Sequence, residues 1–295
     1  MRDAALQSLA VGFFDGVHRG HQAILKGADA ALTFSNHPLT VLAPEKAPRL
    51  IMSVEERVAA IKACGVGEVT VLEFTRELAE MPAEEFLTRH LASSVSRLRS
   101  SVRCGANWRF GKGGAGDAAF LRSHGIEVEV VPYAEYKGEA ISSSRIRAAL
   151  ERGEIEDANA MLGRRFQVLG FRFQGKGLGK EIGYPTVNVE VLKHGFDGFN
   201  EYSRILLRHG VYEVEVDGLH GIANYGLAPT MGDMVWHKPV LEIHFLGDRS
   251  DSLNSFNSCS ELSVSFLRFI RPERKFDSIE DLKRQIAADC ATIHT

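Results

Sequence analysis

Along the first half of the chain, short apolar runs at 6–12, 31–34, 68–74, 101–105 and 127–132 are separated by more polar stretches. Runs of this length read as strands, while at 53–64 and 83–92 apolar residues recur at steps of three and four, the period of a helix. Strands alternating with helices predict βαβ units and a parallel, Rossmann-like sheet, with ligands at the C-terminal strand ends. From Phe166 onward the pattern changes to a period of two, seen at 210–216, 240–245 and 261–266, with Asp217-Gly218 as an intervening turn. Closely spaced alternating strands with no helices between them predict an antiparallel β-barrel or sandwich. One helix closes the chain at about 279–290, with Ser278 as N-cap and Asp281 three residues on. The helix-rich segment 144–163 joins the halves, so the expected domains are 1–163 and 164–295.

Composition narrows the function classes. At 295 residues, 44% hydrophobic and 25% charged, the chain is ordinary for a globular protein of two domains. A net charge of −3 leaves no basic footprint for nucleic acid, so an anionic substrate must be held by local groups. Cys64, Cys104, Cys259 and Cys290 are scattered, form no CxxC pair, and read as reduced thiols of a cytoplasmic protein. Neither a membrane-length apolar run nor a signal-peptide core is present, which predicts a soluble, intracellular protein.

The richest stretch follows the first apolar run: Gly12-Phe-Phe-Asp-Gly-Val-His18-Arg-Gly-His21. A strand that ends in a glycine-bracketed turn and enters a helix leaves backbone N–H groups free to cradle phosphate. Two histidines three residues apart then face the same point, where imidazole can donate to a phosphoryl oxygen as charge develops. Gly20 lets a flat base approach the backbone. This is the HxGH pattern of nucleotidyltransferases. The competing explanation, a zinc site, needs further Cys or His ligands, and the sequence offers none nearby. A second candidate, Ile141-Ser-Ser-Ser144-Arg-Ile-Arg147, opens a helix. Ser144 there is either a plain N-cap or, with Ser143 and Arg147, part of a clamp on ATP phosphates.

GFFDGVHRGHQAIL, LTFSNHP, CGANWRFGKGGAGD and ISSSRIR occur in that order over nearly all of 6–160. Together they resemble the adenylyltransferase module of prokaryotic bifunctional riboflavin kinase/FAD synthetases. The resemblance implies that His18 and His21 stabilise the α-phosphate, and that Gly12, Phe14, Gly20, Ser143, Ser144 and Arg147 bind ATP. It places His37, Pro38 and Asn107 beside the flavin and implies Mg²⁺ on the polyphosphate. Downstream, the Gly-rich loop with Gly175, Gly177 and Gly179 precedes Pro185-Thr186-Val-Asn188. It is followed by Gly221-Ile-Ala-Asn-Tyr-Gly226, Leu241-Glu242-Ile-His244 and Arg271-Pro-Glu-Arg-Lys-Phe276. These look like the riboflavin kinase module over about 166–290. There the resemblance assigns the glycines to ATP, Thr186 and Asn188 to Mg²⁺, Glu242 to the general base and Arg271 to the flavin. From the pattern alone, Glu242 is equally an outward-facing polar residue of an alternating strand.

The implied fold is a nucleotidyltransferase α/β domain followed by a riboflavin kinase-like barrel with a C-terminal helix. The implied activity is conversion of riboflavin to FMN and of FMN to FAD, with ATP as co-substrate. Alternatives are FAD synthesis alone beside a degenerate kinase module, and a non-catalytic flavin- or nucleotide-binding regulator. Expected partners are small molecules (riboflavin, FMN, ATP), not nucleic acid or membrane, for a monomer or weak homo-oligomer. Two departures from the family pattern stand out. Only eleven residues separate His21 from Thr33, which leaves room for no more than a short first helix, and 251–258 is a polar Ser/Asn-rich loop.

Overall fold

The computed structural model describes residues 8–91, 101–173, 178–191, 207–228, 238–246 and 261–293. Among these the chain divides into two compact units, one ending at Arg145 and the other beginning at Ile146.

In the first unit, β1 (Ser8–Val11), β2 (Ala30–Phe34), β3 (Glu68–Leu72), β4 (Ser101–Gly105) and β5 (Glu127–Val131) form a parallel sheet in the order β3-β2-β1-β4-β5. Leu9 lies opposite both Ala30 and Val102, so β1 is central. The chain leaves β1 toward β2 and β3, then returns to β4 on the other side. This makes the crevice beyond the ends of β1 and β4 the topological switch point. Alternation along the strands gives each face its own core. Leu9, Val11, Leu32, Val102 and Cys104 pack with Phe86, Leu91, Phe110 and Leu121 on one face. On the other, Ala10 and Ala31 pack with Leu25 of α1 (Arg19–Leu25) and Ile61 of α3 (Val54–Ala63). Small residues there let the helices come close to the sheet.

The remaining helices are α2 (Leu39–Leu42), α4 (Arg76–Glu80), α5 (Ala83–Phe86) and α6 (Ala118–Ser123), and β6 (Glu135–Tyr136) pairs with β7 (Glu139–Ala140) in a small hairpin. The α3 helix spans the interior of the predicted 53–64, because Ser53 and Glu56 form a capping box that sets its start. The predicted helix at 83–92 is less regular: α5 ends at Phe86 and the chain widens into a π-type turn over Leu87–Leu91. The Thr88 hydroxyl donates to the carbonyls of Glu84 and Glu85, a back-bonding that bends helices. The first helix is short, as the spacing requires. α1 has seven residues, and Arg103 on β4 donates to the carbonyls of Ala23 (3.3 Å) and Ile24 (2.9 Å) in its last turn. Carbonyls that a longer helix would pair internally are thus satisfied from the sheet.

The helix opened by the serine cluster, α7 (Ser143–Arg152), corrects one expectation. Ser142, not Ser144, caps it, accepting the Arg145 N–H at 3.2 Å. The division between units falls inside α7, ahead of the expected 163. The next helix, α8 (Ile155–Leu162), packs with the second unit: Asn159 donates to the Phe266 carbonyl and accepts the Phe166 N–H.

That second unit is a closed barrel. Its strands are β8 (Phe166–Phe173), β9 (Val187–Val191), β10 (Gly210–Val216), β11 (Leu219–Ala228), β12 (Lys238–Phe245) and β13 (Glu261–Pro272), ordered β10-β11-β12-β9-β8-β13. Pairing of β13 with β10 closes it and removes free edges. Val189, Tyr212, Val214, Leu241, Ile243 and Phe266 are buried. A one-turn helix, α9 (Leu178–Glu181), precedes β9, and α10 (Ile279–Ala291) covers outward-facing Val211 and Ile222 near the chain's end. Ser278 caps α10 by accepting the Asp281 N–H, as the sequence predicts.

Candidate functional site

The turn after β1 is built under strain. Phe14 and Val17 have positive φ (56° and 39°) although neither is glycine, and both side chains are buried. Each such residue costs about 1–3 kcal/mol and persists only where the surroundings over-determine it. The surroundings here do so. Asp15, itself buried, accepts the Ile51 N–H with both carboxylate oxygens (3.0 and 3.2 Å). Thr33 Oγ1 donates to the Phe13 carbonyl, and Ser143 Oγ donates to the Asp15 carbonyl at 2.9 Å. The last bond brings Ser143, at the start of α7, to the turn that carries the histidines. A Cβ on Gly12 would sit 2.9 Å from the Phe14 ring, which makes that glycine a packing requirement.

The two histidines are held against each other. Their rings stack with centroids 3.6 Å apart and 18° between planes, and the Phe14 ring meets His21 edge-on at 5.4 Å. His18 is the N-cap of α1, its Nδ1 accepting the His21 N–H at 3.3 Å. That bond fixes the tautomer: with Nδ1 an acceptor, a neutral His18 carries its proton on Nε2. Burial, aided by the charges of His18 and Arg57, holds the His21 pKa well below the ordinary histidine value, so this ring is neutral at pH 7. A neutral His21 presents an N–H donor without charge repulsion toward its stacked neighbour. Among the described residues no group of three or more His, Cys, Asp and Glu could hold a metal, so the pair has no zinc companions there.

Behind the turn lies a residue that sequence reasoning missed. Arg57 of α3 is fully buried. Its Nη2 donates to the carbonyls of Phe34 (2.5 Å) and Ser35 (3.3 Å), and its Cζ sits 4.2 Å from the Phe13 ring centroid. Nε and Nη1 have no hydrogen-bond partner among the described residues. Each unsatisfied buried donor costs about 1–3 kcal/mol. The only signal in the sequence was a charged residue on the buried face of a helical pattern.

The other expected flavin and ATP residues are placed less uniformly. His37 lies past the end of β2, its ring edge-on to Phe13 at 4.9 Å and its Nδ1 accepting the Leu39 N–H. Asn36 fixes that segment by exchanging two hydrogen bonds with the Phe74 backbone. Pro38 begins α2. Asn107 is exposed in the turn after β4, beside the stacked Trp108–Phe110 pair, across the switch point from the histidine turn. Ser144 is exposed on α7, and Arg147, half-buried, lies past the division between the units.

On the barrel, Glu242 faces outward from β12, as the alternation permits, and its row of the sheet is informative. Its register partners are Asn188 on β9 and Asn224 on β11. Asn224 donates to Glu273 at 3.1 Å, and a Cβ on Gly226 would collide with that same carboxylate. Sequence reasoning passed over Glu273, although it stands in the quoted RPE stretch. The Glu242 side chain keeps solvent contact, yet crowding by the protein and then the nearby Glu273 charge push its pKa up. Gly179 leaves a narrow space: a Cβ there would lie 2.5 Å from the Tyr184 carbonyl and 3.1 Å from Thr186 Oγ1. Thr186 and Asn188 flank that space and the glutamate row with hard oxygen donors, the chemistry Mg²⁺ prefers. Arg271 forms a buried ion pair with Asp289 of α10 (Nη2–Oδ2 2.8 Å). Gly175, Gly177 and the 251–258 loop lie outside the described residues.

The FAD synthetase family model matches residues 2–145 and the riboflavin kinase model residues 162–295. The bifunctional riboflavin kinase/FMN adenylyltransferase of Escherichia coli K12 is 32% identical over 95% of this chain and 90% of its own length. The chain belongs to this family. The family's Pseudomonas fluorescens member is 33% identical with the same coverage. Among solved structures, one described as a macrolide-efflux protein from Streptococcus pneumoniae has a TM-score of 0.79 at 26% identity, over 98% of this chain and 94% of that one. No helix among the described residues is long and apolar enough to cross a membrane. Both halves of the family are therefore represented, and each carries its own candidate site.

Proposed function

We propose that the protein makes FAD from riboflavin in two ATP-dependent steps, riboflavin phosphorylation on the barrel and FMN adenylylation on the parallel sheet. The observation that carries this reading is the stacked His18–His21 pair at the sheet's switch point, in one chain with a barrel glutamate set between two asparagines. For adenylylation, an FMN phosphate oxygen attacks the α-phosphorus of ATP in line, and the bond to the bridging oxygen of pyrophosphate breaks. His18 Nε2–H and the His21 ring donate to the oxygens that gain charge, while the N-terminus of α7, with Ser143 and Ser144, and Arg147 take the leaving phosphates. His37, Pro38 and Asn107 border the flavin side.

For phosphorylation, Glu242 accepts the proton of the riboflavin 5′-hydroxyl as its oxygen attacks the γ-phosphorus and ADP leaves. The raised Glu242 pKa suits a base that must hold a proton. Glycines 175, 177 and 179 accommodate the ATP phosphates, and Arg271, fixed by Asp289, borders the flavin. Thr186 and Asn188 would hold Mg²⁺, which when bound neutralises polyphosphate charge. We place the enzyme in the cytoplasm, as a monomer or weak homo-oligomer.

Time-resolved separation of riboflavin, FMN and FAD after mixing with ATP and Mg²⁺ tests the proposal. FMN should appear first and FAD after it. FMN without FAD would remove the adenylyltransferase half, and FAD formed from supplied FMN but not from riboflavin would remove the kinase half.

A further inference from the structure

Arg57 is among the largest fully buried side chains of the described residues, yet the chemistry above gives it no task. We propose that Arg57 is a positioning residue for FMN adenylylation, clamping the segment that carries His37 to the turn that carries the histidine pair. The inference rests on the function proposed above.

Two contacts of one guanidinium, and its charge, support it. Through Nη2 it holds the carbonyls of Phe34 and Ser35, the two residues before Asn36-His37. Its flat face bears on Phe13, whose ring in turn meets His37 edge-on at 4.9 Å. Its charge acts on buried Asp15 and on His21, on either side of the strained Val17. A planar fork can stack on a ring and donate in its own plane together, which an ammonium cannot. The capping box at Ser53 and Glu56 fixes the first turn of α3, and Arg57 is the next residue on it. A core arginine serving only stability would be expected to use all its donors, since buried polar groups are normally satisfied. Here Nε and Nη1 stay unpartnered among the described residues, so the position tolerates a cost that methionine would avoid. Because both direct contacts of the guanidinium lead to His37, the effect falls first on the flavin side of the pocket.

The test compares Arg57→Met, Arg57→Lys and Phe13→Leu with the native chain. The last variant keeps the buried charge and removes only the ring through which it acts. Steady-state adenylylation and a two-site calorimetric titration with FMN are measured, with riboflavin phosphorylation as the check that the chain is folded. Arg57→Met should raise the KM for FMN about tenfold and weaken one of the two FMN sites, a cost in line with small misplacements of bound substrate. KM for ATP and riboflavin phosphorylation should be unchanged, Phe13→Leu should show the same pattern more weakly, and Arg57→Lys should recover part of the loss. Unchanged FMN constants in both Arg57→Met and Phe13→Leu would overturn the inference. So would a parallel loss for FMN and ATP with a lowered unfolding temperature, which marks a purely structural role. Should the native chain make no FAD, the proposed function falls, and the calorimetric FMN titration still decides for or against Arg57.

Discussion

His18 commits its Nδ1 lone pair to the His21 N–H, so the orientation of the ring depends on the start of α1. Gly20 sits in that turn, and a Cβ there would lie 3.1 Å from His18 Cε1 and 3.2 Å from Nδ1. Gly20→Ala should therefore leave stability unchanged or raised by up to about 1 kcal/mol, from helix propensity. FAD formation should nevertheless fall about tenfold to a hundredfold. Thermal unfolding and FAD synthesis measured on one preparation check the divergence. On the barrel, Glu242 serves as a base only when ionised, and its raised pKa means FMN formation falls as pH drops through a point higher than for an unperturbed glutamate. Glu273→Gln removes the smaller of the two causes and keeps the acceptor oxygen for Asn224. The acid limb of the kinase pH profile should move to lower pH without reaching that of a free carboxylate. An unmoved limb would show that Glu273 does not act on Glu242.

At the scale of elements, α1 is shorter than a helix that could stand alone, and it stands because β4 holds its end. Arg103→Met removes two charge-assisted bonds to its last carbonyls, a loss of about 1.5–3 kcal/mol. Faster hydrogen exchange of the α1 amides, with the barrel amides unaffected, is the expected result. Elements whose pattern was local were legible in the sequence. β4 and β10 begin and end where their apolar runs do, and the caps at Ser53 and Ser278 stand where side-chain chemistry puts them. Extensions that depend on a partner strand were not: β13 runs on to Pro272 because β10 pairs with it there, well past the alternating stretch. In the site, His18, His21 and Glu242 were visible because their motifs are contiguous. Arg57, Glu273 and the Ser143–Asp15 bond join positions far apart in sequence, and no periodicity reports them.

Across the whole molecule, the two candidate steps use different residues, which predicts genetic independence with a diffusible intermediate. His18→Ala should make FMN but no FAD from riboflavin, and Glu242→Gln should make FAD only when FMN is supplied. Mixed in one vessel, the two variants should together convert riboflavin to FAD, followed by separation of the three flavins. Failure of the mixture, with each variant active alone in its remaining step, would require FMN to stay on the chain that made it.

The helix α7 limits how this chain can be dissected. Its first residues belong to the sheet unit, through Ser143 and Asp15, and the remainder, with buried Ile146, Ala149 and Leu150, belongs to the barrel unit. A fragment that stops at Arg145 keeps three helical residues, too few to sustain a turn, and so frees the serine from Asp15. A fragment that stops at Arg152 keeps the helix but strips three apolar side chains of their cover. No cut near the boundary leaves both pieces whole, so a protease site or fusion junction belongs elsewhere in the chain.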